Sequence, residues 1–429
     1  MTSIPRAAPP DTTRRRAPLY ALYTANIISA VGDVLMFLAV PWFVLQTTGS
    51  IARTGVTAFF STAAVAASAL LGGGLVDHIG FRRASILSDL ASAVGVALIP
   101  LFYALGMLPF WALLALVFVA GVLTTPGATA RSALVPDLAH LAGARLERVS
   151  AMTDGLSRVS RFIGAPLAGV LIAVIGTSNL LWLDAASFAA SAALIGLAVP
   201  RLAAARPAEG EATGAKGIHG YLANLGMGIR FIWRDPLMLS IIAVIMVTNL
   251  LDAGYSEVLV PADVRQVFGS PVVLGALVAA LGGAGFVGTL IFGAVGHRLP
   301  RRLTLGIGYT IGGAPRFFAL ALVPIVPVLV VVHAVSGLGI SPVNPLFDTI
   351  AYERVPAETR ARVFGAITAG AWIGSPLGGL LAGVLATWAG LPATLLGFGA
   401  VYLLATVSLL VNPALRGMDR KREAGVGAG

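Results

Sequence analysis

Cysteine is absent from this 429-residue sequence, which excludes disulfides and thiolate metal sites. The five histidines (His78, His140, His219, His297 and His333) are scattered without metal-ligand spacing, so no metal centre is implied. No Gly-x-x-x-x-Gly-Lys-[Ser/Thr] phosphate loop occurs, and direct use of ATP is not expected. Gly283-Ala284-Gly285-Phe286-Val287-Gly288 spells a dinucleotide pattern. It lies inside an apolar run with no strand before it, so it reads as small-residue helix packing. No cofactor is implied, and no nucleophile constellation that would mark an intramembrane enzyme is visible. Charge is the other scarcity. Charged residues are 11% of the chain, against roughly 25% in soluble proteins. So few cannot clothe a water-facing surface.

What is present is apolar. Hydrophobic residues make up 57% of the sequence, and the mean hydropathy is +0.89. Lipid is therefore the expected solvent, and one helical crossing needs about 20 apolar residues. Apolar runs fall at about 19–45, 55–76, 84–105, 108–130, 149–176 and 179–199. A polar segment at 200–236 interrupts them. Six more runs follow at about 237–261, 272–296, 303–323, 325–348, 362–388 and 391–412. The expected fold is an all-α membrane protein with twelve transmembrane helices in two pseudo-symmetric six-helix bundles, 19–199 and 237–412. Tails at 1–18 and 413–429 flank them. The first run is too long for a signal-peptide core, and no small-residue cleavage site follows it. The 51 glycines and 25 prolines fit membrane helices, where small residues let backbones approach closely.

The formal net charge is +10, but the charges lie in the gaps between runs rather than on one folded face. Nucleic acid is therefore not an expected partner. With the N-terminus placed inside, 24 of the 29 Lys and Arg residues fall in inside segments, among them Arg82, Arg83, Arg131, Arg145 and Arg148. Outside loops hold Arg53 and Arg265. Basic residues concentrate in cytoplasmic loops, so both termini are expected inside an inner (plasma) membrane. In the linker, Ile218, Leu222, Leu225, Ile229 and Ile232 recur at helical spacing. They predict a helix along the cytoplasmic membrane surface.

The halves repeat one another. Gly73-Gly74-Leu75-Val76-Asp77-His78-Ile79-Gly80-Phe81-Arg82-Arg83 is a charged turn between two runs. A weaker copy stands at Gly293-Ala294-Val295-Gly296-His297-Arg298-Leu299-Pro300-Arg301-Arg302, with His297 in the place of Asp77. Gly164-Ala165-Pro166-Leu167-Ala168-Gly169 in span 5 recurs as Gly374-Ser375-Pro376-Leu377-Gly378-Gly379 in span 11. Asn26-Ile27-Ile28-Ser29-Ala30 in span 1 recurs as Asn249-Leu250-Leu251-Asp252-Ala253 in span 7. Repeated halves of this kind place a substrate path at their interface near the midplane.

These residues resemble the major facilitator superfamily. The Gly73-to-Arg83 turn is similar to its loop between helices 2 and 3, with Phe81 where the family carries a basic residue. Gly164-x-Pro166-x-x-Gly169 looks like its exporter-associated motif. Three patches resemble the macrolide-efflux and enterobactin-exporter branch: Ser29-x-x-Gly32-Asp33, Pro126-x-x-x-x-Arg131-x-x-Leu134-x-Pro136-Asp137-Leu138, and Asp184-Ala185-Ala186-Ser187-Phe188. The resemblance implies a secondary transporter working as a monomer, with a small-molecule substrate and protons as partners. Cargo would be a hydrophobic or amphipathic compound, exported by alternating access. A proton-coupled importer is the alternative, with a channel further off.

The candidate site residues follow. Asp77 can accept hydrogen bonds from free amides at a helix N-terminus. The resemblance makes that partner the start of span 11, around Arg360–Phe364, so that Asp77, with Gly73, Gly80, Arg82 and Arg83, forms a gate. The plain reading is a solvated loop carboxylate beside two topology-setting arginines. Asp33 lies near the middle of span 1, on one face with Asn26 and Ser29. An acid there is costly unless it lines a cavity or finds a partner. It is the candidate for proton coupling, against a structural polar contact or cation recognition. Asn26, Ser29, Asn249, Asp252 and Ser256 are candidates for the substrate cavity. Asp154, Arg158 and Arg161 sit at i, i+4 and i+7 in span 5, as an Asp154–Arg158 ion pair or as part of a cargo or gating network. Glu257 and Arg316 also lie inside runs, and Arg316 lacks an evident partner. Asp184 is placed near enough to the outer surface to be hydrated.

Overall fold

In the computed structural model, the described residues are 16–201, 218–356, 359–413 and 415, with side chains described outside 69–78, 218–224 and 361. Helices account for nearly all of them. In chain order they are α1 (Ala17–Thr48), α2 (Ile51–Ile79), α3 (Phe81–Ala104), α4 (Phe110–Ala142), α5 (Leu146–Ala198) and α6 (Ile218–Arg234). Then come α7 (Pro236–Phe268), α8 (Pro271–Arg298), α9 (Arg301–Leu322), α10 (Val326–Arg354), α11 (Arg362–Trp388) and α12 (Leu391–Val411). At 53 residues α5 is two crossings joined at Gly176, whose φ of 79° is open to glycine without strain. With the 17-residue α6 set aside as too short to cross, the described residues make twelve helical spans, six on either side of α6.

Large apolar side chains point outward from the bundle, including Trp388, Leu404 and Val94. An apolar outer belt of this kind is what lipid requires. Several helices of the second half are broken. Helix α9 breaks at Gly313, where the Tyr402 ring packs on the backbone, and α7 carries π turns at Tyr255–Leu259 and Val264–Phe268.

The repeated turn has a shared mechanical part. Arg82, at the start of α3, donates through Nε to the carbonyl of Val199 at 2.7 Å and through Nη2 to that of Gly196. Arg302, its equivalent at the start of α9, donates to the carbonyl of Leu410 in α12. Each arginine ties the third span of its half to the end of the sixth and satisfies carbonyls that the helix itself leaves free. Asp77 and Gly73 fall in α2 where side chains lie outside the described residues.

Helix α6 forms as its periodicity predicts, and it packs on a span. Gly228 lies against the backbone of Arg362 and against Ala366 at the start of α11, while Ile232 is buried in the apolar cluster of the second bundle, where α6 packs on α7 and α11. The helix therefore belongs to the second bundle.

The core shows how the halves meet. At the basic end, bearing Arg82 and Arg302, each bundle has its own apolar cluster. Leu22, Leu138 and Ile195 centre the first, and Met238, Leu305 and Val363 the second. At the opposite end one cluster runs through both bundles, joining Trp42, Phe43 and Phe188 to Tyr255, Leu277 and Phe398. Glycine makes that seam. A Cβ on Gly169 would stand 3.1 Å from Gly275 Cα and 2.6 Å from the Pro271 carbonyl. A Cβ on Gly55 would stand 2.8 Å from Gly383 Cα and 2.7 Å from the Gly379 carbonyl. These α5–α8 and α2–α11 crossings are pseudo-equivalent. The span-5 Gly-x-Pro-x-x-Gly pattern thus marks a backbone-on-backbone contact between halves: Gly169 meets Gly275, and Gly164 admits Val34 of α1. The protein is closed at the end away from the arginines and open at the basic end.

Gly169→Leu cannot fit that seam. Overpacking costs about 1–3 kcal/mol, a shift of roughly 5- to 150-fold toward the state in which this end is open. The absence of cysteine allows clean labelling at Asn179→Cys and Val267→Cys. Spin-label distances across the closed end should lengthen in Gly169→Leu and, by less, in Gly169→Ala, whose Cβ already meets the Pro271 carbonyl at 2.6 Å; unchanged distances in Gly169→Leu would show that the seam does not hold that end.

Candidate functional site: charges inside the two bundles

The first bundle buries an ion pair. Arg131 of α4 and Asp89 of α3 are 3% and 1% exposed, and Arg131 Nη1 donates to both Asp89 oxygens at 2.7 and 2.8 Å. Arg131 Nη2 donates to Ser29 Oγ at 3.0 Å, and Nε to Asn26 Oδ1 at 2.9 Å. Ser191 of the sixth span donates to Asp89 Oδ2 at 2.7 Å. Four spans are thereby laced around one guanidinium. Arg131 is not a loop charge, as the count of basic residues had placed it. It lies inside α4, because the helix continues to Ala142 and Asp89 supplies its counter-charge. Asn26 and Ser29 are held in this network.

The second bundle has its own pair. Arg316 of α9 donates to Asp252 of α7, which supplies the partner the sequence left unnamed. The guanidinium lies over the Tyr255 and Phe317 rings, 4.9 and 5.6 Å from their centroids. The first π turn of α7 swings Tyr255 so that its hydroxyl meets His333 Nε2 at 2.9 Å and donates to the Arg316 carbonyl at 3.3 Å. Asn249, one turn before Asp252, donates to the Ala371 carbonyl of α11 at 2.8 Å. Ser256 and Glu257 lie in the same π turn, half-buried.

Between the bundles is a cavity of about 550 Å³. Spans 1 and 5 give it Val34, Phe37, Arg158, Arg161 and Phe162, and α8 and α10 give it Phe286, Asn344 and Asp348. Its lining is aromatic and aliphatic with a few charges, as small-molecule sites are. Asp154 and Arg158 form no ion pair among the described residues: both are exposed, and Arg158 turns to the cavity instead. Asp33 is exposed, precedes the cavity-lining Val34 in α1, and lies within electrostatic reach of Arg131 and Arg161. No ion pair holds it among the described residues. Asp184 is fully buried, not hydrated at a surface, because the sixth span turns it toward α1.

A two-bundle, twelve-span architecture with a mixed apolar and charged cavity between its halves defines a membrane transporter. The family model described as Major Facilitator Superfamily matches residues 22–259 and 244–426, and the chain belongs to that family. Relatives extend over nearly the whole length. The chain is 29% identical to the multidrug efflux pump Tap of Mycobacterium tuberculosis over 418 residues, covering 96% of this chain and 97% of Tap. Against Tap of Mycolicibacterium fortuitum the identity is 29%, with 95% and 98% covered. The MFS-type transporter YfiS of Bacillus subtilis is 25% identical, with 93% and 94% covered. Among solved structures, the nucleoside transporter NupG superposes with a TM-score of 0.73 at 14% identity, covering 92% of this chain and 98% of NupG. That likeness concerns the fold.

Arg131→Ala leaves Asp89 buried and unpaired, a loss of about 3–5 kcal/mol. The expected result is a lowered thermal-unfolding midpoint in detergent. The double variant Arg131→Met/Asp89→Leu should recover much of that loss, because it removes both buried charges.

Proposed function

We propose that this protein is a proton-coupled antiporter of a bacterial inner (plasma) membrane that exports hydrophobic or amphipathic small molecules, working as a monomer with both termini in the cytoplasm. The positive-inside distribution supports that orientation, which makes the open basic end cytoplasmic. The full-length similarity to Tap pumps supports export of drug-like cargo. The bundles 19–199 and 237–412 rock about the cavity, with 200–236 as the linker between them. In the alternate state the glycine seam parts and the basic end closes, with Asp77 and its turn (Gly73, Gly80, Arg82 and Arg83) latching on the start of α11.

Asp33 carries this reading. It is a mid-span carboxylate, exposed, next in sequence to the cavity-lining Val34, and outside every ion pair among the described residues. The other acids of the spans that meet a guanidinium, Asp89 and Asp252, are engaged. Asp33 is thus free to load a proton on one side and release it on the other. Cargo fits against Phe37, Phe162 and Phe286, with Arg158, Arg161 and Asp348 facing its polar part.

The test is uphill flux in proteoliposomes under an imposed pH gradient, with ethidium as the probe. Asp33→Asn should fall to the rate of protein-free liposomes, while Asp33→Glu retains part of the activity. Full pH-driven flux through Asp33→Asn would remove Asp33 from coupling.

A further inference from the structure

Two sequence patches that lie 150 residues apart meet in the fold. Gly32, of the Ser29-to-Asp33 patch, packs on the sixth span where Asp184 and Ser187 of the second patch stand. A Cβ at position 32 would run into Asp184 Oδ1 and Ser187 Oγ, so the Asp184 carboxyl lies against the α1 backbone, at the residue just before Asp33. Asp184 is 0% exposed. Its Oδ1 accepts from Ser187 Oγ at 3.3 Å, and its Oδ2 has no hydrogen-bond partner. Among the described residues no cation pairs with it. Asp33 is the charged group that acts on it. Of the charges on the helices around it, Asp89 of α3 and Arg131 of α4 are spent on each other, with Ser191, two turns along the sixth span, on Asp89, and Arg82 of α3 is bound to the end of the sixth span.

A buried carboxylate with one oxygen unmatched costs several kcal/mol in its ionised form. A carboxylic acid at the same place needs no counter-ion. We propose that Asp184 and Asp33 form one proton-binding unit, in which Asp184 is the buried store and Asp33 the member that exchanges with the cavity. This rests on the proton-coupled reading above and extends it by a second residue. Asp184 has no route to water of its own. No hydrogen bond joins the two carboxyls in this state; a side-chain rotation that brings them together lets the O–H bond on Asp184 break as one forms on Asp33, and the negative charge moves the opposite way. One proton is conserved in that step. Two such groups titrate as a pair, in steps that belong to neither alone.

The test uses the full chain in lipid nanodiscs and proteoliposomes. Infrared difference spectra should show a protonated-carboxyl C=O band at neutral pH in the wild type. Asp184→Asn should remove that band and Asp33→Asn should keep it. In ethidium flux, Asp184→Asn should shift the pH profile. If the band survives in Asp184→Asn, or if it vanishes while the pH profile is unchanged, the proposal is overturned. Ser187→Ala serves where Asp184→Asn fails to assemble. It removes one donor and keeps both acids, and should shift the pH midpoint of flux by about half a unit; an unchanged midpoint overturns the proposal equally. Full pH-driven flux in Asp33→Asn would instead count against Asp33 coupling, and the carboxyl band still tests the store.

Discussion

In lipid, two helical bundles gain little from hiding apolar surface from each other, because the acyl chains are just as apolar. What joins them is closeness. The seam of this protein follows from that constraint. Gly169 on Gly275 and Gly55 on Gly383 bring backbones into contact where any side chain would hold them apart. The continuous core at that end forms around these contacts, and the separate cores at the basic end are what remains where no such contact exists. The open cavity, the exposure of Asp33 and the placement of Arg158 and Arg161 all depend on the seam being shut at one end.

Within each bundle the governing term is different. A charge out of water must find its opposite or give up its charge. Arg131 with Asp89, and Arg316 with Asp252, take the first course. Each pair draws in hydroxyl, amide or aromatic groups that fix the relative rotation of its helices. The bundles can then move as bodies, since their polar fastenings are internal. Asp33 lies outside these fastenings and takes part in no ion pair among the described residues.

The fold was legible in the sequence because spans are set by run length and lipid thickness, quantities that need no tertiary knowledge. The duplicated turn was legible too, and the bonds of Arg82 and Arg302 to the sixth span of each half give its recurring arginine a shared role. Interior pairing was less visible. Arg131 was counted with the loops because topology counting weighs basic residues alone, and Asp89 sits quietly in an otherwise apolar run. Requiring a counter-charge for each acid inside a run would have linked the two. Asp154 and Arg158 stand four apart on one helix, yet spacing says nothing of the cavity that draws Arg158 away. Asp184 was misplaced for a related reason: its distance from the span end was readable, but the face it presents to Gly32 was not.

Gly176 gives the first bundle a property of its own. With a single residue between them, spans 5 and 6 behave as one bent strut. One limb carries Gly169, the contact that seals the end away from the arginines, and the other carries Asp184. A tilt of the sealing limb must be felt at the acid through a corner with almost no slack. Insertion of a few flexible residues at that corner would leave both limbs in place and uncouple the motion of one from the environment of the other.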